Sequence, residues 1–346
     1  MIELLIEYCF FLLKVITITF VIVIPILMIV SSSRYKTMGD KGQLIIKNLS
    51  EKFESMGTSL RGSQMDPKTY KKFIKEKEKK RKQDSKKKNK SSKQKSAIYV
   101  LNFQGDVMAS DHDKLKQEIN AILASKTSCK EVVLKVESGG GSAYAYGLCA
   151  AELKRLVDNK IKLTVCIDKV AASGGYLMSC VASKIIAAPW ALVGSIGVIA
   201  QLPNIHRLLK DNLIDFEMHT AGQFKRTLTV FGENTEEGRQ KFISELEDLH
   251  IVFKDFVKEN RPNVDAMKVS TGEVWQGQKA LALGLIDAIQ TSNDYLLNLS
   301  DKYNLYEVEY HEKKSLGDRF AYGIQAFVDQ LILRVQESLN KDRFIR

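Results

Sequence analysis

An α/β fold with a mostly parallel sheet, preceded by a single transmembrane helix, is predicted by three features of this 346-residue chain. From residue 97 onward, apolar β-favouring segments alternate with helical ones, the pattern of strands and helices packed in layers. Two strand segments run straight into glycine-rich turns that open helices: Glu137-Ser138-Gly139-Gly140-Gly141-Ser142 and Val170-Ala171-Ala172-Ser173-Gly174-Gly175-Tyr176. Near the start, the 23 residues from Tyr8 to Val30 are almost wholly apolar, interrupted chiefly by Lys14. About 20 such residues cross the hydrocarbon core of a bilayer.

Residues 1–33 therefore read as an uncleaved N-terminal anchor. A cleaved signal peptide would open with basic residues and end at an Ala-x-Ala site, whereas this segment carries Glu3 and Glu7 and a longer apolar stretch. Lys14 lies within two turns of the apolar start, in snorkelling reach of the nearer interface. Arg34, Lys36, Lys41 and Lys47 follow the span, so the positive-inside rule places the rest of the chain in the cytoplasm.

Residues 34–96 read as a basic, flexible tether. From Lys68 to Lys95 stand 15 Lys and Arg against three acids, while the remainder of the chain holds 37 basic and 38 acidic side chains. The net charge of +11 thus belongs to this segment and not to the globular part. Ser50 to Met56 has helix-forming character, Lys68 to Lys82 suits a transient charged helix, and the lysine-rich remainder is solvated. A soluble spacer accounts for such a segment; so does attraction to the anionic headgroups of a lipid bilayer. No aromatic residue between Phe73 and Tyr99 offers a surface for base stacking, so no nucleic-acid partner is expected.

The globular part is expected at 97–305. Strands are read at 98–103, 132–136 and 162–167, and helices at 112–123, 142–157 and 175–182. The apolar run Ile185 to Leu202 contains Pro189, two glycines and Ser195, and reads as a buried strand with a loop, not a second span. The tail, 306–346, carries an apolar stripe at helical spacing from Phe320 to Leu339. Packing on its own domain, an oligomer contact and an interfacial membrane helix all suit that stripe. Of the five cysteines, Cys166 and Cys180 lie in core-like segments, and no pair has metal-ligand spacing. They read as small buried hydrophobes in a reducing compartment. No metal or cofactor is expected.

The chemistry centres on Ser173. A serine at a strand-to-helix turn has its hydroxyl where free N–H groups and the helix dipole favour developing negative charge. Small neighbours let a carbonyl approach the backbone closely. The same kind of turn also serves merely to pack a helix on a sheet, so a base and an oxyanion hole have to be found nearby. Parallel neighbouring strands would bring the upstream glycine loop to the same sheet edge, where the amide of Gly140 or Gly141 and that of Gly174 can face one oxygen. Two such donors stabilise an oxyanion by roughly 3–4 kcal/mol each. A tight packing turn or a phosphate cradle is the alternative for that loop, but the Gly-Lys-Ser/Thr of a nucleotide-binding loop is absent. Among the five histidines, His219 is the best candidate base, while His206 and His250 lie in amphipathic patterns suited to packing. A lysine serves instead where burial favours its neutral form. Lys225, between a glycine-containing turn and a Thr/Val-rich segment, is one candidate, and spacing alone does not select it.

These motifs resemble the membrane-bound serine–lysine peptidases of the signal peptide peptidase A family, in particular its shorter members. The resemblance covers anchor, basic tether and catalytic domain. Its most specific parts are Asp168-Lys169-Val170-Ala171-Ala172-Ser173-Gly174-Gly175-Tyr176, Val193-Gly194-Ser195-Ile196-Gly197-Val198 and Ala221-Gly222-Gln223-Phe224-Lys225-Arg226-Thr227. Gly232-Glu233-Asn234-Thr235-Glu236-Glu237-Gly238-Arg239 and Gly277-Gln278-Lys279-Ala280 with Gly284-Leu285-Ile286-Asp287 match as well. The resemblance implies a ClpP/crotonase-like fold of repeated ββα units, Ser173 as nucleophile, Lys225 as general base and Ser195 as the residue that orients it. It also implies peptide substrates, an inner-membrane location and a ring-like homo-oligomer. Gly139 stands where the family usually has proline, which loosens the loop without removing an N–H donor.

The leading expectation is a membrane-anchored serine endopeptidase acting on hydrophobic peptides, such as cleaved signal peptides or damaged membrane proteins. A crotonase-like acyl-CoA enzyme would share the oxyanion architecture but not a nucleophilic serine. A catalytically silent membrane scaffold would keep the fold without turnover.

Overall fold

The computed structural model describes residues 7–8, 10–15, 42–88 and 96–312. The chain divides into two units, Leu44–Tyr310 and the combination of Met1–Gln43 with His311–Arg346, and the description below concerns the first. In chain order the elements are β1 (Gly42–Asn48), α1 (Leu49–Gly62), α2 (Pro67–Lys88), β2 (Ala97–Gly105), α3 (His112–Ala124), β3 (Cys129–Ser138) and α4 (Ala143–Asp158). Then follow β4 (Lys162–Ala172), α5 (Gly174–Ser179), β5 (Lys184–Ala187), β6 (Leu192–Gly194), α6 (His206–Asp211), α7 (Glu236–Asn260) and α8 (Ala266–Val269). The last are β7 (Val274–Gln276), α9 (Gly277–Ala282), β8 (Ala288–Ile289), α10 (Ser292–Ser300) and β9 (Asn304–Glu312).

The strands form one mixed sheet in the order β1-β9-β2-β3-β4-β5-β8, with β6 beside the end of β4 and β7 beside β6. The pairs β2–β3, β2–β9, β3–β4, β4–β5, β4–β6 and β5–β8 are parallel, and β6–β7 is antiparallel. Both faces are covered, so consecutive residues of a central strand, such as Val132, Val133 and Leu134 of β3, are all buried. In β3, Val132, Leu134 and Val136 face one core with the inner sides of α3 and α4, while Val133 faces the other with Leu49, Tyr295 and Leu296. The two-residue period of the strand assigns each side chain to its layer. The expected alternation from residue 97 matches this arrangement, and the run from Ile185 resolves into β5, a turn through Pro189, β6 and a loop.

Three segments differ from expectation. Part of the expected tether is folded. Asn48 caps α1 by accepting from the Glu51 N–H at 3.0 Å, and Leu49 is buried against the sheet. The Ser50 hydroxyl donates to the Tyr303 carbonyl at 3.3 Å and accepts from the Leu305 N–H at 2.9 Å, which ties α1 to β9. Asp66 accepts from the Lys68 and Thr69 amides, and Pro67 opens α2, so this highly charged helix has a defined start. The expected helical tail from 306 begins instead as β9, whose Asn304 to Glu307 pair with β2; the apolar stripe from Phe320 lies outside the described residues. The expected helix 175–182 stops at Ser179, where the Cys180 N–H bonds back to Tyr176 before a turn into β5. Most of the apolar run Tyr8 to Val30 also lies outside the described residues, and among those described no helix is long and apolar enough to cross a membrane.

One buried charge makes this fold sensitive to pH. Glu118 on α3 is only 4% exposed; its Oε1 accepts from the Tyr310 N–H at 2.9 Å, and its Oε2 has no partner among the described residues. Burial pushes its carboxyl from 4.5 up to about 7, with the Tyr310 bond and Lys114 opposing and Asp111 and Glu309 reinforcing the rise. Between those values the folded chain holds a proton that the unfolded chain has released, so stability falls as pH rises from about 4.5 to about 7. Glu118→Gln, of the same shape and never charged, is expected to remove this slope. It should stabilise the protein at pH 8 by on the order of 3 kcal/mol, read from urea denaturation at pH 5 and pH 8.

Candidate active site

Parallel pairing delivers three strand ends to one edge of the sheet. Gly105 at the end of β2 lies opposite Ser138 of β3, and Ser138 lies opposite Ala171 of β4. The register shift between Val136 and Ser138 lets the glycine loop after β3 bend toward β4.

Ser173 follows β4 directly, at φ +51° and ψ −119°. Few non-glycine residues adopt a positive φ, and holding one there costs about 1–3 kcal/mol. Its backbone is held from both sides. The N–H donates to the Gly194 carbonyl at 2.8 Å, and its carbonyl accepts from the Tyr176 and Leu177 amides at 3.0 and 2.9 Å. The Tyr176 ring is fully buried, and its hydroxyl donates to the Leu285 carbonyl at 3.0 Å, so α5 itself is anchored. Ser173 is half-buried, and its hydroxyl has no hydrogen-bond partner among the described residues. The Gly174 N–H, in the first turn of α5, has none either.

The two glycines after the serine answer to sterics. A Cβ on Gly174 would lie 2.4 Å from Tyr146 Cγ, and one on Gly175 would lie 2.7 Å from the Ser138 carbonyl oxygen. Gly140, at φ +90°, meets the serine turn from the other side, since a Cβ there would fall 2.6 Å from Ser173 Cβ and 2.8 Å from the Gly174 nitrogen. The glycine loop thus lies against the serine turn with no room for a side chain on Gly140. The Gly140 N–H donates to Ser138 Oγ at 3.0 Å, whereas the Gly141 N–H has no partner among the described residues. Gly141 packs on the backbone of Val107, whose carbonyl accepts from Ser142 N–H at 2.8 Å.

Ser195 follows β6 at φ +51°, and its N–H donates to the Glu273 carbonyl at 2.6 Å. The pairing of Ala172 with Gly194 sets it beside the Ser173 turn. Lys225 is placed differently. It lies in the irregular stretch between α6 and α7, just after a turn in which its N–H donates to the Gly222 carbonyl at 3.1 Å, and its side chain is exposed. No hydrogen bond or ion pair joins it to Ser173 or Ser195 among the described residues. The partial burial anticipated for Lys225 is absent, and the same stretch also exposes Leu213, Phe216, Met218 and Phe224, Leu213 to 94%. His219 is also exposed, 3.4 Å from Glu217, and touches none of these groups. Burial pushes the thiols of Cys149 and Cys180 up to about 12, which leaves neither as a thiolate nucleophile.

Two contributors escaped sequence reading, Tyr146 and Asp106. In Ala143-Tyr144-Ala145-Tyr146, nothing local separates the two tyrosines, yet Tyr144 is 87% exposed and Tyr146 fully buried. The usable signal was the helical stripe Tyr146, Cys149, Ala150, Leu153, which marks the core side of α4.

An α/β sheet that delivers a strained serine beside a glycine loop is the framework of a serine peptidase. The chain belongs to peptidase family S49. Residues 3–153 match the model described as Peptidase family S49 N-terminal, and residues 155–306 match that described as Peptidase family S49. It is 44% identical over 348 residues to a "Probable protease SohB" of Haemophilus influenzae, covering 98% of each chain. A "Probable protease SohB" of Buchnera aphidicola subsp. Schlechtendalia chinensis is 44% identical over 304 residues, covering 86% of this chain and 99% of the relative. Among solved structures, the 1510-N membrane-bound stomatin-specific protease in complex with a substrate peptide aligns with a TM-score of 0.40 at 14% identity, over 66% of this chain and 98% of that one.

The contact between Gly140 and Ser173 yields a direct test. Gly140→Ala puts a methyl into the serine turn and strains a positive φ. It is expected to lower kcat/KM for peptide cleavage on the order of 100-fold, the scale of a misplaced oxyanion site. Circular dichroism should report a folded protein, because the loop is partly exposed.

Proposed function

We propose that this family S49 enzyme is a membrane-anchored endopeptidase that works through a Ser173–Lys225 dyad on a ClpP/crotonase-like fold. The observation that carries the reading is the strained Ser173 with an unengaged hydroxyl, next to the unpartnered Gly174 N–H and flush against the glycine loop.

Lys225, when neutral, accepts the proton of the Ser173 hydroxyl as Oγ attacks the peptide carbonyl carbon. The carbonyl π electrons move onto oxygen, and the N–H groups of Gly174 and Gly141 hold the resulting oxyanion. Gly140, whose N–H is committed to Ser138 Oγ, shapes the loop and does not serve as the donor. The protonated Lys225 then gives its proton to the leaving amine, and an acyl-enzyme remains on Ser173. A water deprotonated by Lys225 releases the new carboxylate and restores the serine. Ser195 orients the lysine from the adjacent strand end.

Assembly completes the site in this reading. Lys225 needs an environment that favours its neutral form, and the stretch that carries it also exposes the apolar side chains of Leu213, Phe216, Met218 and Phe224. A ring-like homo-oligomer packed on that surface would bury the lysine. The apolar run Tyr8 to Val30 anchors the chain in the inner membrane, the basic residues after it favour a cytoplasmic catalytic domain, and α2 with its lysine-rich continuation lies against anionic headgroups. Hydrophobic peptides, including cleaved signal peptides and damaged membrane proteins, are the substrates such a location supplies.

Ser173→Ala and Lys225→Ala should each abolish cleavage of a quenched-fluorescent hydrophobic peptide and leave the circular dichroism spectrum unchanged. Ser195→Ala should retain partial activity, reduced by roughly 10- to 100-fold. Wild-type turnover by either dyad variant would refute the assignment. A fluorophosphonate probe should label Ser173 in the wild type, an outcome that a crotonase-like acyl-CoA enzyme would not give. Because only a neutral lysine accepts the proton, kcat/KM should fall as pH is lowered, and the acidic limb should reach zero instead of a plateau.

A further inference from the structure

The geometry points to Tyr146 and Ser138 as positioning residues that set the orientation of the glycine loop and hence the loop's free oxyanion donor. This inference rests on Ser173 being the nucleophile. Three consecutive glycines, Gly139 to Gly141, have no side chains to lock their peptide planes, so hydrogen bonds have to do it. The structure supplies a directed chain of them. Gly140 N–H donates to Ser138 Oγ at 3.0 Å, Ser138 Oγ lies 2.5 Å from the Tyr146 hydroxyl, and that hydroxyl donates to the Asp106 carbonyl at 2.8 Å. A phenol has one hydrogen, and here Asp106 takes it, so the serine hydroxyl donates to Tyr146 and its lone pair is left for Gly140. Every hydrogen in the chain therefore points the same way, toward the end of β2.

Ser138 is 2% exposed and Tyr146 fully buried, so water does not compete for these bonds. Burial raises the Tyr146 phenol, with the Ser138 bond opposing, and keeps it protonated as the chain requires. There is also no slack. A Cβ on Gly105 would lie 2.3 Å from the Tyr146 hydroxyl and 2.4 Å from Ser138 Oγ, and the Tyr146 ring lies against Gly174, the other oxyanion donor. One tyrosine thus fixes both halves of the hole, its ring holding the start of α5 and its hydroxyl the glycine loop. With the Gly140 amide drawn inward, the amide of Gly141 is the donor the loop has left.

The test compares ground-state and transition-state binding in the full-length chain. Tyr146→Phe and Ser138→Ala are each expected to lower kcat about 10-fold or more, with KM within about two-fold of wild type. Affinity for a hydrophobic peptide boronate, which forms a tetrahedral adduct on the serine, should fall by the same factor as kcat/KM. The double variant should be no worse than the more impaired single one, because one chain of bonds is broken once. A merely structural role would instead lower the melting temperature and leave kcat and boronate affinity within two-fold, and that result overturns the proposal; so does a change confined to KM. If Tyr146→Phe does not fold, Ser138→Ala decides alone, since it deletes one hydroxyl and keeps the tyrosine ring in place. Ser173→Ala serves as the control: full activity there sinks the nucleophile assignment itself, whereas its inactivity combined with normal Tyr146→Phe kinetics sinks only the positioning role.

Discussion

The start of α5 passes between the Tyr146 ring and the Ser138 backbone through a space that does not admit one methyl group, and much of the site depends on that fit. Cβ atoms at Gly174 and Gly175 would lie 2.4 and 2.7 Å from their neighbours. Close approach on this scale is open only to glycine, and it brings the backbone of α5, β3 and the glycine loop into direct contact. A serine carried on that backbone has its position set to the accuracy of packed main chain. Exposed loops do not achieve that accuracy unaided.

Such packing also sustains the strain at the serine. Ser173 and Ser195 both sit at φ +51°, a conformation that side chains disfavour. Each is held by backbone bonds to a neighbouring strand end: Ser173 to Gly194, and Ser195 to Glu273. Gly194 itself can only be glycine, because a Cβ there would fall 2.6 Å from the Trp275 ring. The short strands β6 and β7 thus act as a brace for the serine turn. Their few residues are less a part of the core than of the site.

Much of this architecture was legible from residue order. Strands β2, β3 and β4 and helices α3 and α4 appear as apolar and amphipathic segments because both faces of the sheet are covered, and burial imposes its own pattern. The Ser173 turn was legible as a candidate because a run of small residues stands between an apolar strand and a helix. Such turns also merely pack a helix on a sheet, and the other motifs of the chain were needed to single it out. In the region 42–88 the helical character of Ser50 to Met56 and of Lys68 to Lys82 was legible, whereas β1 and the anchoring of α1 to the sheet were not. The fold of that region depends on a few uncharged residues, Asn48, Leu49, Ser50 and Pro67, whose capping and anchoring roles a charge count does not reveal. Tyr146 was passed over because its importance lies in contacts 28 and 40 residues away, with Gly174 and Asp106.

By itself the sequence determined the layered α/β class, the two strand–glycine–helix turns, the segregation of positive charge and the membership of a serine peptidase family. All of these are encoded in short-range pattern, where hydrophobic period and glycine placement act within one element. The tertiary structure alone decided which amide of the glycine loop is already engaged, which tyrosine is buried, and that Lys225 lies exposed in the irregular stretch between α6 and α7. Those outcomes turn on distances between residues far apart in the chain. Parallel pairing of β2, β3 and β4 sets the distances at the sheet edge, and no local preference reports them.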